Sequence, residues 1–292
     1  MIRRWNLTLC SALLLYVAAR AQSIGSINPP AAGGAPLQIF ATISTKDGSP
    51  PALVPSALSV TIDKRPVQLV SLRPAKDDKL LFVLLVDIST SQAPKAQSIK
   101  DAAVRIFDGL STGGNQGYLV LMNQLVMPSK RPLQTSEVQA TLDQIRFNGG
   151  TAVYDAIAQS CTNILAASRN LDYPRRDLIV LSDGDDNYSH LTFLQAEEAA
   201  QREGIAIFSS AEFSSESKGE AVLKQASRDT GGRDVFVNKL PDGVAPLLAA
   251  IQDQWVLNIT PAQAADQKLH SLSVKTSEKD LSIAEPSRIP LP

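Results

Sequence analysis

The chain has 292 residues, 28 Lys and Arg against 29 Asp and Glu, 44% hydrophobic residues, two cysteines and two histidines. That length suits one large domain, or one domain with a small companion, and the composition is globular rather than disordered. The near-neutral charge argues against a nucleic-acid binder, and the scarcity of Cys and His excludes a disulfide scaffold or a cysteine-based zinc module.

In chain order, Arg3 and Arg4 precede an apolar run from Leu7 to Ala19, which ends in Ala19-Arg20-Ala21. A positive start, a short apolar stretch and a small-x-small site predict a secretory signal peptide over 1–21, cleaved after about Ala21. The apolar run is shorter than the roughly 20 residues that a membrane-spanning helix needs. Cleavage would remove three arginines, no acid and Cys10, leaving a net charge of −4 and Cys161 as a lone thiol. No later segment is long and apolar enough to span a membrane, so the expected location is secreted or periplasmic, with no membrane span after cleavage.

Residues 22–36 are rich in Pro, Gly, Ala and Ser and read as a linker. Residues 37–77 form an N-terminal β segment, with strand-like pieces at Leu37–Ser44, Leu58–Ile62 and Val67–Leu72. Lys46-Asp47-Gly48 and the Pro50-Pro51 pair supply turn chemistry between them.

From 78 to 255 the pattern alternates. Leu80–Val86 is an unbroken apolar run, suited to a strand buried on both faces. Ile99, Ala102, Ala103, Ile106 and Leu110 then make one helical stripe, and Tyr118–Met122 is a second buried strand. Val138, Leu142 and Ile145 mark a short helix, and Val153, Ile157, Cys161 and Ile164 a longer one. Strands are predicted at Leu178–Leu181, Ile205–Phe208 and Val235–Val237, with helices around Phe193–Arg202 and Glu220–Asp229. A last helix carries Val244, Leu247, Leu248, Ile251 and Trp255. Strands alternating with helices predict a doubly wound, mostly parallel sheet with helices on both faces. A C-terminal β segment, 256–292, follows, and the two flanks are expected to meet as one small β-sandwich.

In such a sheet ligands bind at the carboxyl ends of the strands, where the strand order reverses. Three polar clusters fall at such positions: Asp87-Ile88-Ser89-Thr90-Ser91, Asn148-Gly149-Gly150-Thr151, and Ser182-Asp183-Gly184-Asp185-Asp186-Asn187. They offer carboxylates and hydroxyls without His or Cys, a donor set for a hard cation such as Mg²⁺. Asp87, Ser89 and Ser91 alternate, so their oxygens can turn to one side; Thr151 adds a third hydroxyl and Asp183 a second carboxylate. An open coordination position would accept a carboxylate from a partner.

These three pieces resemble the metal-ion-dependent adhesion site of von Willebrand factor type A domains: Asp-x-Ser-x-Ser, then a Thr, then an Asp. The resemblance covers residues 78–255, with Thr90 and Gln92 where many members have Gly and Met. It implies Mg²⁺, or Mn²⁺ or Ca²⁺, at Asp87, Ser89, Ser91, Thr151 and Asp183, and a protein ligand presenting a carboxylate. It also implies that the last helix, around Val244–Trp255, shifts to switch affinity.

Plainer roles stand beside these. Asp87, Ser89 or Ser91 could cap the following helix, Thr151 the helix beginning at Ala152, and Asp155 suits that helix's first turn. Asp183-Gly184 is also an ordinary turn pair, Asp185 and Asp186 read as solvated loop acids, Cys161 as core and His190 as surface. The function expected is an exported adhesion or binding module rather than an enzyme, because a Gly-x-Ser-x-Gly elbow, a P-loop and a well-placed His are missing. The alternatives are a structural component of an envelope or secretion assembly, and a Mg²⁺-dependent hydrolase.

Overall fold

The structure is a computed structural model and describes residues 36–45, 51–168, 172–212, 218–261 and 266–291. The expected signal peptide at 1–21 and the linker up to residue 35 lie outside these residues, as does the Lys46-Asp47-Gly48 turn. Among the described residues no helix is long and apolar enough to cross a membrane.

Three strands come first: β1 (Leu37–Thr45), β2 (Leu58–Ile62) and β3 (Arg65–Pro74). The alternating part follows as β4 (Leu80–Asp87), α1 (Ala96–Leu110), β5 (Gln116–Met122), β6 (Val126–Pro128), α2 (Thr135–Gln144) and α3 (Val153–Gln159). It continues with β7 (Arg175–Leu181), α4 (Phe193–Glu203), β8 (Ala206–Glu212), α5 (Gly219–Asp229), β9 (Asp234–Val237) and α6 (Leu240–Gln252). The chain returns to strands at β10 (Gln254–Thr260), β11 (Leu269–Thr276), β12 (Leu281–Ala284) and β13 (Arg288–Pro290).

This is a mixed α/β chain with two sheets. One has six strands in the order β6-β5-β4-β7-β8-β9; β4–β5, β4–β7, β7–β8 and β8–β9 run parallel, and β5–β6 antiparallel. The residues of β4 explain the sandwich of layers. Leu80, Phe82, Leu84 and Val86 pack with Ile99, Ile106, Val138, Leu247 and Ile251 of α1, α2 and α6. Leu81, Val83 and Leu85 pack on the other side with Val153, Ile157, Ala196 and Leu223 of α3, α4 and α5. Alternate side chains leave opposite faces of a strand, so a strand covered on both faces must be apolar throughout.

The expectation of a mostly parallel sheet describes this sheet alone. The second sheet has seven strands in the order β12-β1-β10-β3-β2-β11-β13, antiparallel throughout. The flanks therefore share a single strand order, with N-terminal β1 against C-terminal β10 and β2 against β11. Strands of either flank alone would expose unpaired edges, and interleaving them pairs those edges. One core gathers Ile39 and Ile43 of β1, Leu257 of β10, Ile62 of β2 and Val274 of β11, so the sheet curls around it.

The alternating part leaves this sheet after β3 and returns at β10, its neighbour, where Trp255 faces Pro74 and the Ala75 amide donates to the Gln254 carbonyl at 2.8 Å. The apolar stripe places Trp255 at the close of the last helix. Instead α6 ends at Gln252 and Trp255 lies on β10, where its ring belongs to the core of the curled sheet. The expected boundary at 255 thus lies inside β10.

Candidate functional site

From β4 the chain builds β5 and β6 on one side, then returns to lay β7, β8 and β9 on the other. The crevice at the carboxyl ends of β4 and β7 is therefore the point where the winding reverses, the place such sheets hold ligands. Asp87 is the last residue of β4, and Ser182 and Asp183 follow β7 directly.

The loop between α2 and α3 is tied to both. Asn148 N donates to Ile88 O at 2.8 Å, and Thr90 N to Gly149 O at 3.1 Å. Thr151 N donates to Asn187 Oδ1 at 2.9 Å, while its carbonyl accepts from the Asn187 and Tyr188 amides at 3.0 Å. Gly149 has φ +86°, and a Cβ there would run into the Gln124 carboxamide that accepts from Gly150 N at 2.9 Å. The close approach of the loops needs glycine at this point.

Asp87 is fully buried. Its Oδ1 accepts from Ser89 N at 2.9 Å and its Oδ2 from Ser182 Oγ at 2.7 Å. Among the described residues no Lys, Arg or His pairs with it. Burial pushes its carboxyl up to about 6; hydrogen bonds from Ser182 and Ser89 pull against this, and the charge of Asp183 adds to it. Ser89 Oγ lies 3.2 Å from Ser91 Oγ, and Ser91 Oγ donates to Asp183 Oδ2 at 3.2 Å. Gln92, also buried, donates its amide to the same Asp183 oxygen. Burial raises the Asp183 carboxyl as well, against the amide of Asp185. The Thr151 hydroxyl, on a residue 3% exposed, makes no hydrogen bond among the described residues.

The structure thus links Asp87, Ser89, Ser91 and Asp183 through one set of hydrogen bonds with Ser182, and joins Thr151 to the Asp183 loop through Asn187. The capping roles fall elsewhere. No side chain caps α1, and Thr151 does not cap α3. The first turn of α3 is capped from a distant loop, with Tyr154 N donating to Asp186 Oδ2 at 3.2 Å and Asp155 N to Ser189 Oγ at 3.0 Å. Asp185 accepts from Lys218 N at 3.0 Å and Gly219 N at 2.7 Å, at the start of α5. Asp185 and Asp186 are therefore not solvated loop acids; each satisfies helix amides that have no partner of their own. Asp155 accepts from the His190 and Leu191 amides at 3.1 and 2.9 Å, His190 is exposed, and Cys161 is buried in the core.

Ser182, Gln92 and Asn187 have roles that the motif alone does not carry. The signal available for Ser182 was its place at the end of a buried strand. For Gln92 it was an amide at a position expected to be apolar. Fit to a metal follows from the donors themselves. Among the described residues no group of three or more His, Cys, Asp or Glu could hold an ion, so a cation here would rest on two carboxylates and hydroxyls. Such an all-oxygen set, with a buried carboxylate that no Lys, Arg or His of the described residues pairs, suits a hard divalent cation.

No protein-family model matches the sequence. No curated protein matches it either. Among solved structures, a von Willebrand factor type A protein from Catenulispora acidiphila is similar with a TM-score of 0.51 at 11% identity, over 89% of this chain and 74% of that one. Proximal thread matrix protein 1 from the mussel byssus, solved with a zinc-occupied MIDAS motif, gives 0.50 at 14% identity over 65% of this chain. The match spans about half, 49%, of the mussel protein. At these identities the likeness is one of architecture: the chain has the fold of von Willebrand factor type A domains.

Proposed function

We propose that the protein is an exported binding module, in which Asp87, Ser89, Ser91, Thr151 and Asp183 hold a divalent cation that receives a carboxylate of a protein partner. The six-stranded sheet with helices on both faces is its doubly wound platform. The observation that carries this function is Asp87, a fully buried carboxylate at the reversal of winding with hydrogen bonds but no cation of the chain to neutralise it. A bound divalent cation would supply that charge and an open position for a carboxylate. The chain's own part is to hold the donors: Ser89 N and Ser182 Oγ orient Asp87, and Ser91 and Gln92 orient Asp183. The oxygen donors favour Mg²⁺, with Mn²⁺ or Ca²⁺ as alternatives, and the mussel protein's zinc is consistent with a divalent site.

Binding is favoured over hydrolysis because the neighbouring acids are committed. Asp155, Asp185 and Asp186 all accept backbone amides, which leaves them poorly placed as general bases. Titration calorimetry with Mg²⁺ and Mn²⁺ tests the site. Wild type is expected to bind and Asp87→Asn to lose binding while keeping its circular dichroism; equal affinity of the two would sink the proposal.

A further inference from the structure

Two of the large exposed apolar side chains, Leu125 at 61% and Tyr188 at 58%, stand on either side of the Gly149-Gly150-Thr151 loop. On one side, Gln124, the residue before Leu125, accepts from Gly150 N at 2.9 Å. On the other, a Cβ built on Gly150 would come 3.0 Å from the Tyr188 ring. Both positions are held by the loop that carries Thr151. Leu125 N donates to Asn123 Oδ1 at 2.9 Å, Asn123 O accepts from Ala152 N at 2.9 Å, and Tyr188 N donates to Thr151 O at 3.0 Å.

The exposed residues beside the ligands, Thr90, Ser91, Asn148 and Asn187, are neutral; Arg146, two residues before Asn148, is an exposed charge on the same loop, and the acids nearby are used as helix caps. Lys95, the cation whose charge acts on Asp183, donates to the Glu212 carbonyl at 3.4 Å. A surface that is neutral beside the ligands and carries fixed apolar side chains gains nothing there from further charge on a ligand. It gains from burying apolar surface on positions that are already ordered.

We propose that Leu125 and Tyr188 form an apolar rim that reads the residues flanking the partner's acid. The occupant is an extended protein segment in which Asp or Glu stands beside a large apolar side chain. This rests on the metal-site function above and goes beyond it by naming the sequence the site selects.

The test is an array of immobilised pentapeptides with a central Asp or Glu and varied flanks, probed with the full chain in Mg²⁺ and in EDTA. Mg²⁺-dependent binders are expected to prefer Leu, Ile, Phe or Tyr beside the acid over Ser by about tenfold, as one well-buried contact warrants. Leu125→Ser and Tyr188→Ser should each erase most of that preference, while calorimetric Mg²⁺ affinity stays within about twofold of wild type, because neither side chain touches the ligands. Metal-dependent binding of acidic peptides with indifferent flanks, or an unchanged preference in both variants, would overturn the rim and leave the metal site standing. Mg²⁺ binding with no acidic peptide retained also overturns it, whereas failure to bind Mg²⁺ at all overturns the underlying function.

Discussion

Two aspartates are buried at opposite ends of the same six-stranded sheet, and they are treated differently. Asp177, near the start of β7 and 2% exposed, accepts from Gln254 Nε2 at 3.0 Å through Oδ1, while its Oδ2 accepts no hydrogen bond among the described residues and is served by the charge of Arg175 Nη2 at 3.6 Å. Arg175 is itself fixed by the Gln254 carboxamide at 2.9 Å and by the carbonyls of Ile251 and Ala75 at 2.8 and 3.3 Å. Asp87, at the far end of β4, receives an amide and a hydroxyl, with no Lys, Arg or His beside it among the described residues. Burial raises both carboxyls, and only at Asp177 does an arginine pull back. One end neutralises its charge from within the chain, joining β7 to the curled sheet at the two crossings between them. The other leaves a charge for something outside. That difference is the one on which the proposed metal site rests.

The pair at the structural end is where breaking the comparison costs most. Arg175→Ala strands a buried carboxylate and takes the guanidinium donor from the Ile251 carbonyl, while the Ala75 carbonyl keeps the Asp78 amide, a loss of about 3–5 kcal/mol. Urea unfolding followed by circular dichroism would measure it. A loss under about 1 kcal/mol would mean that Asp177 is no better served than Asp87, and the contrast would fall.

At the other end the expected effect is a gain. Mg²⁺ at about a hundred times its dissociation constant should stabilise wild type by about 2.7 kcal/mol, a rise of about 5–10 °C in Tm. EDTA should reverse the rise, Asp87→Asn should lack it, and Asp177→Asn should retain it from a lower starting temperature. A Mg²⁺ response in Asp87→Asn equal to that of wild type would place the ion elsewhere.

Much of the carboxyl end of the sheet was legible in the sequence, and little of the end at Asp177. Unbroken apolar runs such as Leu80–Val86 can only be strands covered on both faces, so the polar residues just after them mark the carboxyl edge of the sheet. Asp87, Ser89, Ser91, Thr151 and Asp183 all lie there. Arg175-Arg176-Asp177 reads as an ordinary polar strand start, and nothing local announces that Gln254, 77 residues on from Asp177, will bury it. The caps by Asp185, Asp186 and Ser189 were hidden for the same reason, since each reaches amides more than 30 residues away. Strands of three residues, β6 and β13, are too short to show a period of two. The pairing of β1 with β10 depends on which edges meet, which the alternation within either strand does not encode.

The smallest expected effect is also the most discriminating, because its sign is opposite to that at Arg175. Without metal, the folded chain holds Asp87 with a carboxyl raised to about 6 against an ordinary value of 3.8. The folded state therefore binds a proton that the unfolded state has released, so stability falls as pH rises between about 4 and 6 and is level above that range. The shift corresponds to at most about 3 kcal/mol. Asp87→Asn removes the charge but keeps an oxygen to accept from Ser89 N, at the cost of a poorer bond to Ser182 Oγ. In EDTA at pH 7.5 the variant should then be more stable than wild type by about 1–2 kcal/mol, and near pH 4 the two should converge. Urea midpoints across that range would show it. A variant less stable than wild type at neutral pH would mean that the Asp87 charge is already satisfied within the chain, as the charge of Asp177 is.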